Sequence, residues 1–154
     1  MTYDPVLDLR LERFMAASPA AIWRCWTEAA LLERWFCPRP WQVADAVIDP
    51  RPGGRFDFTM RGPAGEEIPY RTCFLEVVPQ RRLVSTDALA SGFRPTAQGF
   101  LTSIITLTPQ NGGTLYVAEA LHADTEARAR HEAMGFHDGW AAAASQLETL
   151  AQSL

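Results

Sequence analysis

Three features of the sequence predict an α+β domain in which a curved antiparallel sheet of about six or seven strands surrounds one long C-terminal helix. Most of the chain before residue 123 consists of short segments in which apolar and polar side chains alternate. Turns rich in glycine and proline separate those segments at hairpin spacing. From residue 124 the apolar period switches to three and four residues, and no further proline follows. The 154 residues are the size of one domain, so a single domain over residues 1–154 is expected.

The first strand is expected within residues 6–17, with Leu7, Leu9 and Leu11 on one face and Asp8, Arg10 and Glu12 on the other. Arg13 falls in the apolar phase. Either the strand leaves the core there, or the arginine is buried against a carboxylate. Ser18-Pro19 is a helix start, with serine as the cap and proline at the first helical position. Ile22, Trp23 and Trp26 give that helix an apolar side. Thr27 can cap a second short helix through Glu28, Leu31, Leu32 and Trp35, which Pro38 and Pro40 end. Residues 34–41 are irregular and dense in aromatics, as either a plug at one end of the core or a lip of a ligand cavity.

Strands are then expected at 42–49, 55–60, 67–78, 83–87, 100–108 and 114–122. Asp49-Pro50-Arg51-Pro52-Gly53-Gly54, Gly62-Pro63-Ala64-Gly65 and Asn111-Gly112-Gly113 are turns between them. The loop at 88–98 is long for a hairpin. Strands so local in sequence form an antiparallel meander. The last helix reads as continuous over residues 124–154, about 45 Å long at the usual rise. Asp124 or Thr125 caps it, and Glu126 sits in its first turn. Phe136, Trp140, Ala143, Ala144, Leu147, Leu150, Ala151 and Leu154 share one face. Gly135 and Gly139 fall inside it, each costing about 1 kcal/mol of helix propensity against alanine. Beside Met134, Phe136 and Trp140, they point to a close approach of another backbone or to space kept for something else.

A formal net charge of -4 with no basic block argues against nucleic-acid binding. No apolar run reaches the roughly 18 residues of a membrane span. The start, Met1-Thr2-Tyr3-Asp4-Pro5, lacks the pattern of a signal peptide. Three widely spaced cysteines, Cys25, Cys37 and Cys73, fit a reducing cytoplasm rather than a disulfide framework. No metal site and no cofactor are expected: His131 and His137 are six residues apart and face different sides of a helix. There is no nucleophile elbow, and Gly53-Gly54 leads into a strand, so it is not a phosphate loop.

Arg34-Trp35-Phe36-Cys37-Pro38, Asp49-Pro50-Arg51-Pro52-Gly53-Gly54-Arg55-Phe56, Glu76-Val77-Val78-Pro79 through Arg82-Leu83-Val84, Gly112-Gly113-Thr114 and Gly139-Trp140 occur in that order across nearly the whole chain. In this order and spacing the chain resembles the activator of heat-shock-protein ATPase homologue family of the START-like (SRPBCC) superfamily, which also holds polyketide cyclases and lipid-transfer domains. The resemblance implies a helix-grip fold, with a cavity between the sheet and the C-terminal helix. It does not extend to the additional N-terminal domain that the eukaryotic chaperone activators usually carry, so co-chaperone activity is not implied. Many relatives have a polar or histidine residue where Ala120 stands here.

The expected function is the binding of a small hydrophobic or aromatic molecule in that cavity. The expected ligand-binding residues are Trp35, Phe36, Phe56, Phe58, Tyr70, Phe74, Glu119, His131, Met134 and Gly135. His131, one turn before Met134-Gly135, is either a satisfied structural histidine or a polar group at the cavity. Two other functions remain open. One is a polyketide cyclase-like or hydrolase-like enzyme, which requires polar groups converging on one point. The other is a chaperone-related interaction domain or a homodimer, using the aromatics of residues 35–41 and the loop at 88–98.

Overall fold

The computed structural model describes residues 2–97 and 99–154; Met1 and Gln98, the last residue of the long loop, lie outside the described residues. The first strand, β1 (Leu9–Met15), leads into α1 (Pro19–Thr27) and α2 (Ala29–Leu32). Then come β2 (Gln42–Ile48), β3 (Arg55–Arg61), β4 (Glu67–Val78) and β5 (Arg82–Thr86). Two short strands, β6 (Leu89–Ala90) and β7 (Arg94–Pro95), precede the long β8 (Thr102–Gln110) and β9 (Gly113–Leu121). The chain ends in α3 (Thr125–Ala133) and α4 (Phe136–Gln152).

Seven strands form one antiparallel sheet in the order β1-β9-β8-β5-β4-β3-β2. The run from β2 to β9 is the expected meander, interrupted only by the small β6-β7 hairpin. β1 closes the far edge against β9, with Leu9 opposite Ala120 and Met15 opposite Thr114. The sheet carries irregularities between Ala44 and Val47 on β2 and between Phe74 and Glu76 on β4. Such bulges bend a strand and increase its twist, which suits a sheet that curves round a helix.

Ser18 caps α1 through its hydroxyl, which accepts the Ala21 N–H at 3.1 Å, and Pro19 occupies the first helical position. Thr27 does not cap α2. It ends α1, its hydroxyl donating to the Trp23 carbonyl, and Glu28 takes the extended capping position. The strand expected from residue 100 begins at Thr102, because the Asp87 carboxylate accepts the Phe100 and Leu101 N–H groups at 2.7 and 3.1 Å. A backbone held by a side chain cannot also join the ladder. The loop after β5 is anchored rather than loose: the Gly92 N–H donates to the Gly53 carbonyl at 2.8 Å. The ring of Phe93 lies where a Cβ on Gly53 would stand.

The C-terminal segment corrects the expectation of one continuous helix over 124–154. Asp124 caps α3 as predicted, accepting the Ala127 N–H at 2.8 Å. The helix then stops. Gly135 takes φ 92 and ψ 35, in the left-handed region, and α4 starts at Phe136. A left-handed glycine is the usual end of a helix, since it carries no Cβ penalty. Gly139 lies inside α4 with ordinary helical geometry.

The core divides along α4. Toward its C-terminus, Leu147, Leu150 and Ala151 pack into a dense cluster with Met15, Ile22, Cys25, Leu32 and Leu107. Burial of each large aliphatic side chain there contributes about 1.5–3 kcal/mol. Toward its N-terminus Phe136 is buried with Leu9 and Ala120, while Gly139, Ala143 and Ala144 present small side chains between it and Leu147. Small side chains at that end leave space between helix and sheet. No helix among the described residues is long and apolar enough to cross a membrane.

Candidate functional site: a pocket between sheet and helix

The space beside Gly139, Ala143 and Ala144 is a pocket of about 370 Å³. The inner face of the sheet supplies one wall: Phe56, Phe58, Tyr70, Ser85, Ser103, Ile105, Tyr116 and Ala118. The segment after α2 supplies another, with Trp35, Phe36, Cys37 and Pro38. Aromatic packing makes these walls stiff. Phe36 meets Trp26, Trp35, Phe56 and Phe58 edge-on at centroid distances of 5.0–5.7 Å. Phe58 stacks on Tyr70 at 5.1 Å. Met134, 73% exposed, lies at the rim beside the helix break. Residues 34–41 thus serve both as core plug, through buried Trp35, and as pocket wall, through Phe36.

Eight of the ten expected residues line this pocket: Trp35, Phe36, Phe56, Phe58, Tyr70, His131, Met134 and Gly135. Phe74 and Glu119 do not. Phe74 is wholly buried behind Phe56, their rings stacked at 5.1 Å and nearly parallel. Glu119 belongs to the other face of the sheet. Ala118 and Ala120 point inward, so the residue between them points outward. There the Glu119 carboxylate accepts two hydrogen bonds from Arg10, at 2.8 and 3.1 Å, and Arg10 in turn lies over the Tyr3 ring.

The same alternation that turns Glu119 outward turns His122 inward. Its Nδ1 lies 2.9 Å from the Leu7 carbonyl oxygen, and its Nε2 lies 2.9 Å from Nδ1 of His131. A carbonyl oxygen only accepts, so Nδ1 of His122 carries the proton. With both rings neutral, the network then has one solution. His122 Nε2 is an acceptor, His131 Nδ1–H donates to it, and His131 Nε2 is left as an acceptor. That nitrogen makes no hydrogen bond with the described residues and is not sealed from solvent. Burial, with the neighbouring His122 as the lesser cause, pushes the His131 pKa down to about 4, so this ring stays neutral near pH 7. Phe100, Phe136 and Trp140 surround it edge-on.

Other polar groups reach the pocket. Asp87 lines it while holding the Phe100 and Leu101 backbone. Burial, and secondarily Asp87, raises the pKa of the Tyr70 hydroxyl, which therefore stays protonated. The buried Trp26 indole N–H has no hydrogen-bond partner among the described residues. Burial raises the pKa of the nearby Tyr116 hydroxyl, and Trp26 offsets this only in part. Burial lifts the Cys37 thiol to about 11, so this pocket cysteine is not a thiolate nucleophile. No group of three or more His, Cys, Asp or Glu among the described residues is placed to hold a metal ion.

Sequence reasoning did not place His122, Asp87, Phe100 or Trp140 at the site. For His122 a signal exists, since it shares the inward parity of Ala118 and Ala120. For Asp87 and Phe100 there is none, because only the fold brings the loop after β5 against α3.

A family model described as Activator of Hsp90 ATPase homolog 1-like protein matches residues 16–152. Among solved structures, a protein from Nitrosomonas europaea is 42% identical, with a TM-score of 0.95 over 98% of this chain and 97% of that one. A protein from Mycobacterium smegmatis is 26% identical, with a TM-score of 0.79 over 97% and 93% of the two chains. One from Rhodobacter sphaeroides is 24% identical, with a TM-score of 0.84 over 99% and 97%, and speaks to the fold alone. No curated protein matches the chain.

Proposed function

Since the chain belongs to the Activator of Hsp90 ATPase homolog 1-like family, and its fold is the helix-grip α+β fold, we propose that it binds a small hydrophobic or amphipathic molecule between the sheet and α4. The observation that carries this reading is the pocket of about 370 Å³, kept open by Gly139, Ala143 and Ala144 where larger residues would complete the core. That volume lies in the range of small-molecule sites, whose walls are mainly apolar with a few polar groups. Here the apolar contribution comes from Phe36, Phe56, Phe58 and Trp140, and the polar groups are His131, Tyr70 and Asp87.

Native mass spectrometry of protein purified gently from its own host tests the proposal. A reproducible excess mass, released on denaturation and identified after extraction, is expected. An apo mass together with failure to take up either 2-methoxynaphthalene or 2-naphthol at saturation overturns it.

A second reading, a polyketide cyclase-like or hydrolase-like enzyme, is favoured by the His131 imidazole lining the same pocket as Tyr70 and Asp87. It predicts that the host-derived ligand, returned to fresh protein, comes out chemically altered. Recovery of unaltered ligand favours binding without turnover. The interaction-domain reading loses its main feature, because Trp35 is buried and Phe36 faces the pocket.

A further inference from the structure

We propose that the pocket selects an uncharged ligand carrying a hydroxyl group, and that the selecting atom is Nε2 of His131, set as an acceptor by the chain Leu7 carbonyl, His122, His131. This rests on the pocket being a ligand site and adds the chemistry of the ligand to it.

The Leu7 carbonyl fixes the tautomer of His122 at 2.9 Å, and His122 fixes that of His131 at 2.9 Å. The acceptor at the pocket is therefore built by the fold and does not depend on the ligand. Both histidines are buried, and Asp8 holds His122 in place by accepting its backbone N–H at 3.1 Å. An acceptor in an apolar wall favours a ligand that donates a hydrogen bond to it, since a ligand that displaces water from that atom without donating leaves it unpaired.

The chain contains no lysine, and no arginine lines the pocket. The charged groups facing the histidine pair are Asp8 beneath His122, Arg128 donating to the Asp8 carbonyl, and Arg130 over the Phe100 ring. Asp87 is the carboxylate among the lining residues. A ligand carboxylate or phosphate would lose its water without gaining a cation, and would meet Asp87 as a like charge. A hydroxyl meets neither cost.

Isothermal titration calorimetry at about pH 7.5 with 2-naphthol, 2-methoxynaphthalene and 2-naphthoic acid tests this, in the wild type and in His131→Phe, with circular dichroism to check folding. In the wild type the naphthol is expected to bind and the acid to bind most weakly. The ratio of naphthol to ether affinity should fall about five- to tenfold in His131→Phe, the size expected for one hydrogen bond. A ratio unchanged by the substitution, or an acid that binds as well as the naphthol, overturns the inference and leaves the pocket reading standing. Failure of all three probes to bind the wild type overturns both. Should the variant not fold, nitrogen NMR of the wild type labelled in histidine decides: Nδ1–H tautomers are expected for His122 and His131, and an Nε2–H tautomer at His131 overturns the inference.

Discussion

Arg13 on β1 and Glu148 on α4, 135 residues apart in the chain, form an ion pair of 2.9 Å at the densely packed end of the core. The arginine sits on the inward face of its strand and also donates to the Ser145 hydroxyl at 3.0 Å. The second oxygen of Glu148 accepts the Ala16 N–H at 2.7 Å, where the chain leaves β1 for α1. Glu148→Ala therefore removes the ion pair of a part-buried guanidinium and the side-chain acceptor of an exposed backbone N–H. It should cost about 0.5–1.5 kcal/mol of stability. Arg13→Met keeps the apolar stem and leaves Glu148 its backbone bond, so it should cost less. Urea denaturation of the two variants checks the order, and equal or reversed losses would contradict it.

Gly135 and Gly139, one helical turn apart, should respond to alanine with opposite signs. At Gly135 the space for a Cβ is open, but φ is +92, so the penalty is backbone strain of roughly 1–2 kcal/mol. At Gly139 the backbone is helical, and a Cβ would stand 3.8 Å from Pro38 Cγ, an ordinary contact. Removing a mid-helix glycine there should stabilise the protein by up to about 1 kcal/mol. Thermal melts of the two variants read the signs directly.

The two glycines also show what the sequence could and could not tell. Composition and period placed both inside a helix, which is right for Gly139 and wrong for Gly135. Propensity gives the same cost at each position; only the direction of the chain after His131 makes one of them a break. The strand order was legible because every pairing except that of β1 with β9 is local, or is separated by one short hairpin. Most of the aromatic pocket lining was legible for the same reason: Phe56 and Phe58 share a strand face, and Tyr70 lies opposite Phe58 across the hairpin. Glu119 was misplaced although the parity of its strand was already visible. Asp87 and the His122–His131 contact were not legible, since they depend on how far a loop and a helix terminus reach in space.

Phe74 and Met134 separate core from pocket. Phe74 is fully buried against Phe56, so Phe74→Ala should cost about 3–5 kcal/mol, the usual range for a core phenylalanine. Met134 is exposed at the rim, so Met134→Ala should leave stability within about 0.5 kcal/mol. Binding should order them the other way for whatever part of Phe74→Ala remains folded: 2-methoxynaphthalene should lose affinity with Met134→Ala. Unfolding curves and calorimetry on the same samples make the comparison, and a rim substitution with no effect on the probe would argue against Met134 touching the ligand.

His131 gives the protein a defined acid sensitivity. Its folded pKa of about 4 lies below the ordinary histidine value of 6.5 because burial opposes the charged ring. Between those two values the unfolded chain binds the extra proton and the folded chain does not, so stability rises with pH through that window. The contribution is complete above pH 6.5 and is lost progressively as the pH falls toward 4. Glu28 and Glu132, whose pKa values their hydrogen bonds to Arg24 and His137 lower, also lose stability in acid, but they do so equally in a His131 variant. Between neutral pH and pH 4 the melting temperature of the wild type should therefore decline more steeply than that of His131→Phe. Parallel curves would mean that His131 does not resist protonation in the folded protein.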